Sequence, residues 1–305
     1  MTKPYVIVTD SCSDLRKELR EQYDIDYIPM RTICDGDDTP ASLDWEYIPY
    51  KTFYDNMRKG TRYLTSQINE ETYTERFTEY IEKGYDILSV SCSSALSASV
   101  KGSMRVRDKL LTKYPDAKIY CVDSLNSCFG LGMLCIVASK MRAEGKTIEE
   151  VYNWLETNKL KANQVCTVDS LGYLRRAGRV SATSAIFGGL MDIKPIIISD
   201  AVGQNNAIEK VRGRRLAIKR VVSMFAEDYE SLPYQIVCVA HADCPEEAAD
   251  LKRRVEEALP DKDIPVLLEN IGPIVGASAG PGTLAIYFFG KEVTVGKQQP
   301  NGNAN

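Results

Sequence analysis

Histidine occurs once in these 305 residues, at His241. That scarcity argues against a histidine-bearing metal site and leaves little to activate a serine or cysteine nucleophile. Nine cysteines are present, an odd number, and none forms a C-x-x-C pair. Most lie inside apolar runs, where a free thiol behaves as a small hydrophobe. No metal is expected, and the expected compartment is the reducing cytoplasm. Positive charge is not in excess either. Lys and Arg number 38 against 42 Asp and Glu, for a net charge of −4 and a pI near 5.4. A nucleic-acid partner is therefore not expected. No apolar run approaches bilayer length, nothing before Pro4 reads as a signal peptide, and no membrane span is expected. A P-loop is missing, and Gly130-Leu131-Gly132 lacks the third glycine of a dinucleotide fingerprint. No cofactor is expected.

What the chain has instead is four hydroxyl-rich clusters, each just after an apolar run. They are Thr9-Asp10-Ser11-Cys12-Ser13-Asp14, Thr65-Ser66-Gln67, Ser91-Cys92-Ser93-Ser94-Ala95-Leu96-Ser97 and Asp123-Ser124. Short β-rich runs that end in hydroxyls and lead into helical patterns read as strand-turn-helix units. Ligands of open α/β sheets sit outside the carboxyl ends of the strands, where hydroxyls and helix N-terminal N–H groups suit an anionic head group. Ser and Asp are also common N-caps, so no single cluster establishes a site; the repetition points to one.

The pattern divides the chain. Strands at Tyr5–Val8, Asp86–Val90 and Lys118–Val122 alternate with helices that carry Leu15 and Leu19, Tyr73 and Phe77, Val100 and Leu110, and Leu131 and Leu134. Thr147 to Glu150 is a capping box that opens one more helix. Cys34 to Tyr50 reads as a long surface excursion. The paired carboxylates Asp37-Asp38 and Glu70-Glu71 read as solvated charge. From about Lys161 the βα alternation weakens, with strands at Val165–Val168, Lys194–Ile198, Gln235–His241 and Thr283–Phe289. The expectation is an α/β protein of two domains: a parallel-sheet α/β/α domain over 1–162 and a mixed-sheet α/β domain over 163–292. A disordered tail over 293–305 follows.

Gly276-Ala277-Ser278-Ala279-Gly280 spells the G-x-S-x-G of serine hydrolases. That elbow needs a strand before the serine, a helix after it and a histidine further on. Here Pro281 and a β-like run follow, and His241 precedes. A glycine-rich loop that approaches a ligand through its backbone is the competing reading. A hydrolase or acyltransferase using Ser278 remains the alternative function. His241 itself reads as a structural residue.

Together these segments resemble the DegV family of fatty-acid-binding proteins over Tyr5 to Gly290. The match is carried in order by Thr9-Asp10-Ser11-Cys12-Ser13-Asp14-Leu15, Thr65-Ser66-Gln67, Ser93-Ser94-Ala95-Leu96-Ser97, Leu174 to Ser181, and Gly280-Pro281-Gly282. The resemblance implies two α/β domains enclosing a long-chain fatty acid and no turnover by the protein itself. It implies a carboxylate held by Thr65, Ser66, Ser93, Ser94 and Ser97, with Ser278 at the head group where the family commonly has histidine. It also implies a bacterial fatty acid kinase as partner, which phosphorylates the presented acid for phospholipid synthesis. Other departures from the family pattern are Ile68, Ala98, Ser99 and Ala177.

Ser97, at the expected N-cap of the Val100–Leu111 helix, is placed to hold a carboxylate without any full positive charge. Ile186, Phe187 and Leu190 lie in an apolar, glycine-containing stretch suited to lining an acyl pocket. Arg176 and Arg179, with Arg212 to Arg215, are candidates for a phosphate or an acidic partner.

Overall fold

The computed structural model describes residues 3–180 and 192–297. Strand β1 (Tyr5–Asp10) turns through Ser11–Ser13 into helix α1 (Lys17–Tyr23) and β2 (Ile25–Ile28). A hairpin of β3 (Arg31–Cys34) and β4 (Asp37–Pro40) follows, then α2 (Tyr50–Arg58), β5 (Leu64–Ser66) and α3 (Glu70–Glu82). The βα alternation resumes with β6 (Asp86–Ser91), α4 (Ser99–Lys113), β7 (Ile119–Asp123), α5 (Phe129–Ala143) and α6 (Ile148–Asn158). Four strands pair in parallel in the order β2-β1-β6-β7. The chain runs outward from β1 in both directions, so β1 and β6 flank the point where ligands of open α/β sheets bind.

The second sheet contains β8 (Ala162–Thr167), β9 (Ile193–Ser199), β10 (Asn205–Arg212), β11 (Val237–His241), β12 (Val266–Asn270) and β13 (Leu284–Phe289). Its order is β10-β9-β8-β13-β11-β12, antiparallel except for the β11–β12 pair. Helices α7 (Gly172–Ala177), α8 (Arg214–Asp228), α9 (Pro245–Ala258) and α10 (Pro273–Ala279) complete the described elements. The chain is thus α/β, with a parallel-sheet domain and a mixed-sheet domain.

Side-chain alternation gives the second sheet two apolar faces. Val165, Ile196, Val239, Ile286 and Phe288 pack outward with Val221 and Phe225 of α8 and Leu251 and Val255 of α9. Cys166, Ile197, Ala240, Ala285 and Tyr287 point the other way and join the core of the first domain. Helix α5 is buried almost all round, because it packs on β1 and β6 on one side and on β8 and β13 on the other. One core therefore runs through both domains. No described helix is long and apolar enough to cross a membrane.

The excursion expected over Cys34–Tyr50 begins as a hairpin and continues as turns and coil to α2. Asp35 and Gly36 both have positive φ, the mark of a type I′ hairpin turn, and β3 also pairs with β5. The tail expected to be disordered is held in its first part: the Val293 N–H donates to the Leu160 carbonyl, and the Val295 carbonyl accepts from the Ala201 N–H. Its remainder, 298–305, lies outside the described residues, as do Ile186, Phe187 and Leu190. The capping box forms, Thr147 Oγ1 accepting from the Glu150 N–H and Glu150 Oε2 accepting from the Thr147 N–H.

Two buried carboxyls stand at the junction. Asp10 Oδ1 accepts the Cys12 N–H and Oδ2 the Cys92 N–H, each at 2.8 Å. Burial raises its pKa to about 6 against those two hydrogen bonds. Asp14 lies buried between Cys128 and Gly272 without a well-formed hydrogen bond to either oxygen. Burial is the main cause of its rise to about 7, and the Asp10 charge adds to it. A folded-state pKa above the unfolded one means stability that is full near pH 4 and lost as pH climbs through 7. For Asp14 the loss is on the order of 4 kcal/mol. Asp14 has φ 51°, a left-handed conformation that asparagine tolerates. Asp14→Asn is therefore expected to exceed wild type in stability at pH 8 and to flatten the fall between pH 4 and 7 in urea titrations. An unchanged pH slope would refute this assignment.

Candidate functional site

A cavity of about 540 Å³ opens where the carboxyl ends of β1 and β6 meet the inner face of the second sheet. That size suits a small organic ligand. Its walls come from both domains. Cys12 and Met30 form the floor beside Cys92, and Thr65 to Gln67 and Ser94 to Ala98 form one side. Gln164, Cys166, Ile197, Ala285 and Tyr287 form the sheet wall, and Ile274, Val275, Ser278 and Ala279 of α10 close it with Leu174 and Arg179.

The two family-like hydroxyl motifs meet here by different routes. Ser94 to Ser97 lie in the turn after β6, as the sequence implies. Thr65 and Ser66 sit on β5, whose place in the small antiparallel sheet is fixed by pairing Thr65 with Thr32 and Ser66 with Arg31. The Ile68 N–H donates to Ser99 Oγ at 3.3 Å, and Ser99 Oγ is 3.0 Å from Ser97 Oγ, which ties the two motifs together. Ser97 is not the N-cap of α4. Ala98 holds that position, and Ser97 Oγ accepts the Ser99 N–H from one residue further out.

The other two clusters brace rather than line. Asp123 Oδ1 accepts the N–H groups of Ser94 and Leu125, both at 3.1 Å, and only Cys12 of the first cluster reaches the cavity. Ser93 does not reach it. It is fully buried, its Oγ accepting the Ala95 N–H within the turn.

Arg179, a candidate for a phosphate or an acidic partner, also lines this cavity. Its Nε donates to the Leu96 carbonyl at 3.1 Å, and it also contacts the Ala177 carbonyl. A second cavity of about 600 Å³ shares Thr65, Arg179 and Ser278 with the first. It adds Arg62, Arg176, Tyr63 and Tyr173, and no Asp or Glu appears among its described lining residues. Arg176 stacks over the Tyr173 ring at 4.7 Å. One chamber is apolar with a hydroxyl rim, and the adjoining one is cationic.

The G-x-S-x-G segment is neither an elbow nor a loop. Ser278 lies in the last turn of α10, and the two glycines answer to packing. A Cβ on Gly276 would come within 2.3 Å of the Tyr54 hydroxyl, and one on Gly280 within 2.3 Å of the Tyr173 ring. His241 lies outside the cavity lining. Its Nδ1 accepts the Cys244 N–H at 3.3 Å and sits 3.5 Å from the Tyr50 hydroxyl. Burial lowers its pKa. His241 is thus not in the cavity that Ser278 lines. Among the described residues, no three His, Cys, Asp or Glu side chains form a metal-sized cluster.

Sequence reading missed Gln164 and Asn205, which are paired at 3.1 Å in the sheet wall, with Asn205 donating to the Arg179 carbonyl. The signal was available for Gln164. Alternation from Val165 places it on the inner face with Cys166.

The profile of a family described as uncharacterised DegV proteins matches residues 4–291. A DegV domain-containing protein of Clostridium perfringens is 39% identical over 290 residues, covering 94% of this chain and 98% of its own. One from Streptococcus pyogenes is 33% identical over 292 residues, with shares of 94% and 98%. A fatty acid binding DegV protein of Bacillus subtilis superposes with a TM-score of 0.81 at 26% identity, over 95% of this chain and 100% of that one. A Thermotoga maritima protein with a described fatty acid binding function gives 0.80 at 26%, with the same coverage.

Ala285 tests the cavity directly. It is buried on the inner face of β13, and a larger side chain there has open volume to enter. Ala285→Phe should keep the thermal midpoint within a few degrees of wild type and abolish uptake of an apolar fluorescent probe. Undiminished uptake would mean that the probe, and the ligand volume, lie elsewhere.

Proposed function

The chain belongs to the DegV family, and from that premise we propose that it is a cytosolic carrier of a long-chain free fatty acid, with no turnover of its own. The carrying observation is the cavity itself: an apolar body closed at one side by Thr65, Ser66, Ser94, Ser97, Ser278 and Arg179. Each buried methylene contributes about 0.8 kcal/mol, so a long tail supplies most of the affinity. The hydroxyls and the guanidinium orient the carboxylate through charge-assisted hydrogen bonds.

The carrier presents that carboxylate to a separate fatty acid kinase, which forms the acyl phosphate. What supports this is the second chamber. Arg176 and Arg179, with Arg62, stand in a space that shares Thr65 and Ser278 with the first chamber. An anionic phosphate or an acidic kinase surface is suited to that field. Arg214 of the other arginine run is already engaged, by Glu247 and the Gly282 carbonyl.

Native mass spectrometry of the purified protein offered palmitate tests the first step, and a protein that takes up no acid ends the proposal. Thr65→Val and Ser97→Ala should each weaken acid binding by about 1.5–3 kcal/mol, roughly tenfold or more in affinity. Retained affinity in the double variant would place the head group elsewhere. Arg179→Ala should slow acyl-phosphate formation with the cognate kinase more than it weakens acid binding. Equal losses in both would assign Arg179 to the carboxylate alone.

A further inference from the structure

The chamber assigned to the acyl tail is not apolar throughout. Two amides stand in its sheet wall, Gln164 on β8 and Asn205 at the start of β10, and both line the cavity. Gln164 is 4% exposed and Asn205 9%, so neither amide meets bulk water. Their neighbours on the wall, Cys166, Ile197 and Ala285, are small or apolar. An amide in such a place costs free energy unless its donors and acceptors find partners.

The orientation of the pair is fixed from one end. Asn205 Nδ2 donates to the Arg179 carbonyl at 3.0 Å. A backbone carbonyl can only accept, so the nitrogen of Asn205 faces it and the oxygen faces the other way. Asn205 Oδ1 then accepts from Gln164 Nε2 at 3.1 Å, which turns Gln164 in its turn. Its nitrogen is committed to Asn205, with Cys166 Sγ beside it at 3.7 Å. The atom left over is Gln164 Oε1. No described group donates to it, and it is not among the buried atoms sealed off without a partner. In a residue that is buried from bulk solvent and lines the cavity, that oxygen opens onto the cavity.

We propose that Gln164 is a specificity residue of this chamber: its Oε1 accepts a hydrogen bond from a hydroxyl carried on the hydrocarbon chain, so that the preferred cargo is a hydroxylated long-chain acid. The proposal rests on the fatty-acid reading and adds a polar contact on the sheet wall, apart from Thr65, Ser66 and Ser97 on the facing side. The contact is directional. The open atom is an acceptor, so an alcohol O–H satisfies it, whereas an oxo group brings a second acceptor against it. A plain chain presses methylenes on the bare oxygen and leaves it desolvated. A site built to bond a hydroxyl therefore rejects the analogue that lacks one by more than the bond alone accounts for.

The test is competition for the full chain, read by native mass spectrometry, between stearate and monohydroxystearates that carry the hydroxyl at successive carbons. One position should outcompete stearate by about tenfold, and the oxostearate substituted at that same carbon should fall below stearate. Gln164→Leu should move the two acids in opposite directions: the hydroxystearate loses its advantage, and stearate binds more tightly than it does to wild type. A fall in both affinities together would make the amide pair structural only and overturn the proposal. So would stearate that binds wild type while every hydroxystearate binds equally or more weakly, an outcome that leaves the fatty-acid reading intact and needs no variant. If neither stearate nor any hydroxystearate binds, the fatty-acid reading falls and this proposal falls with it.

Discussion

A single buried carboxylate organises the junction of the two domains. Asp10 stands at the end of β1, where its two oxygens hold the Cys12 and Cys92 N–H groups. Those bonds fix the two turns that flank the point where the parallel sheet changes direction. The turn after β6 then sets Ser94 and Ser97, the second of which sets Ser99, and Ser99 Oγ receives the Ile68 N–H. Both hydroxyl motifs are thus in line with one side chain. Burying a carboxyl there is costly, as its raised pKa records, and the two hydrogen bonds offset part of that cost.

The second organising constraint is that the mixed sheet must be covered on both faces. Its outer face is closed conventionally by α8 and α9. Among the described elements, α5, α10 and the turns of the first domain meet its inner face, and these leave a gap. The small residues Ala285 and Cys166 on that face keep the gap open.

Much of this was legible in the chain. The four parallel-sheet helices announced themselves by apolar spacing, and Thr147-Ile148-Glu149-Glu150 gave its cap by local chemistry alone. Elements governed by pairing were harder. Asp35-Gly36 is a strong hairpin signal, yet β4 is polar and exposed, so no apolar alternation marked it. Strands β10 and β12 gain their place from neighbours far along the chain, which no local window contains. Thr65, Ser94 and Ser97, which stand out as hydroxyl clusters in the sequence, line the cavity. Ser93, from the same run, does not line it: one turn holds hydroxyls that face the cavity and one that closes the turn itself. Ser278 reached the cavity for reasons unrelated to its motif, since Gly276 and Gly280 are small to admit Tyr54 and Tyr173.

Arg179 belongs to both chambers, along with Thr65 and Ser278. A wall held in common makes the two volumes thermodynamic neighbours: whatever an occupant of one does to affinity in the other must be returned in equal measure. Two anions drawing on the same guanidinium are antagonists, each loosening the other's hold. A negative charge arriving in the outer chamber would then act as a release signal for the inner one, built from a shared partition with no moving domain.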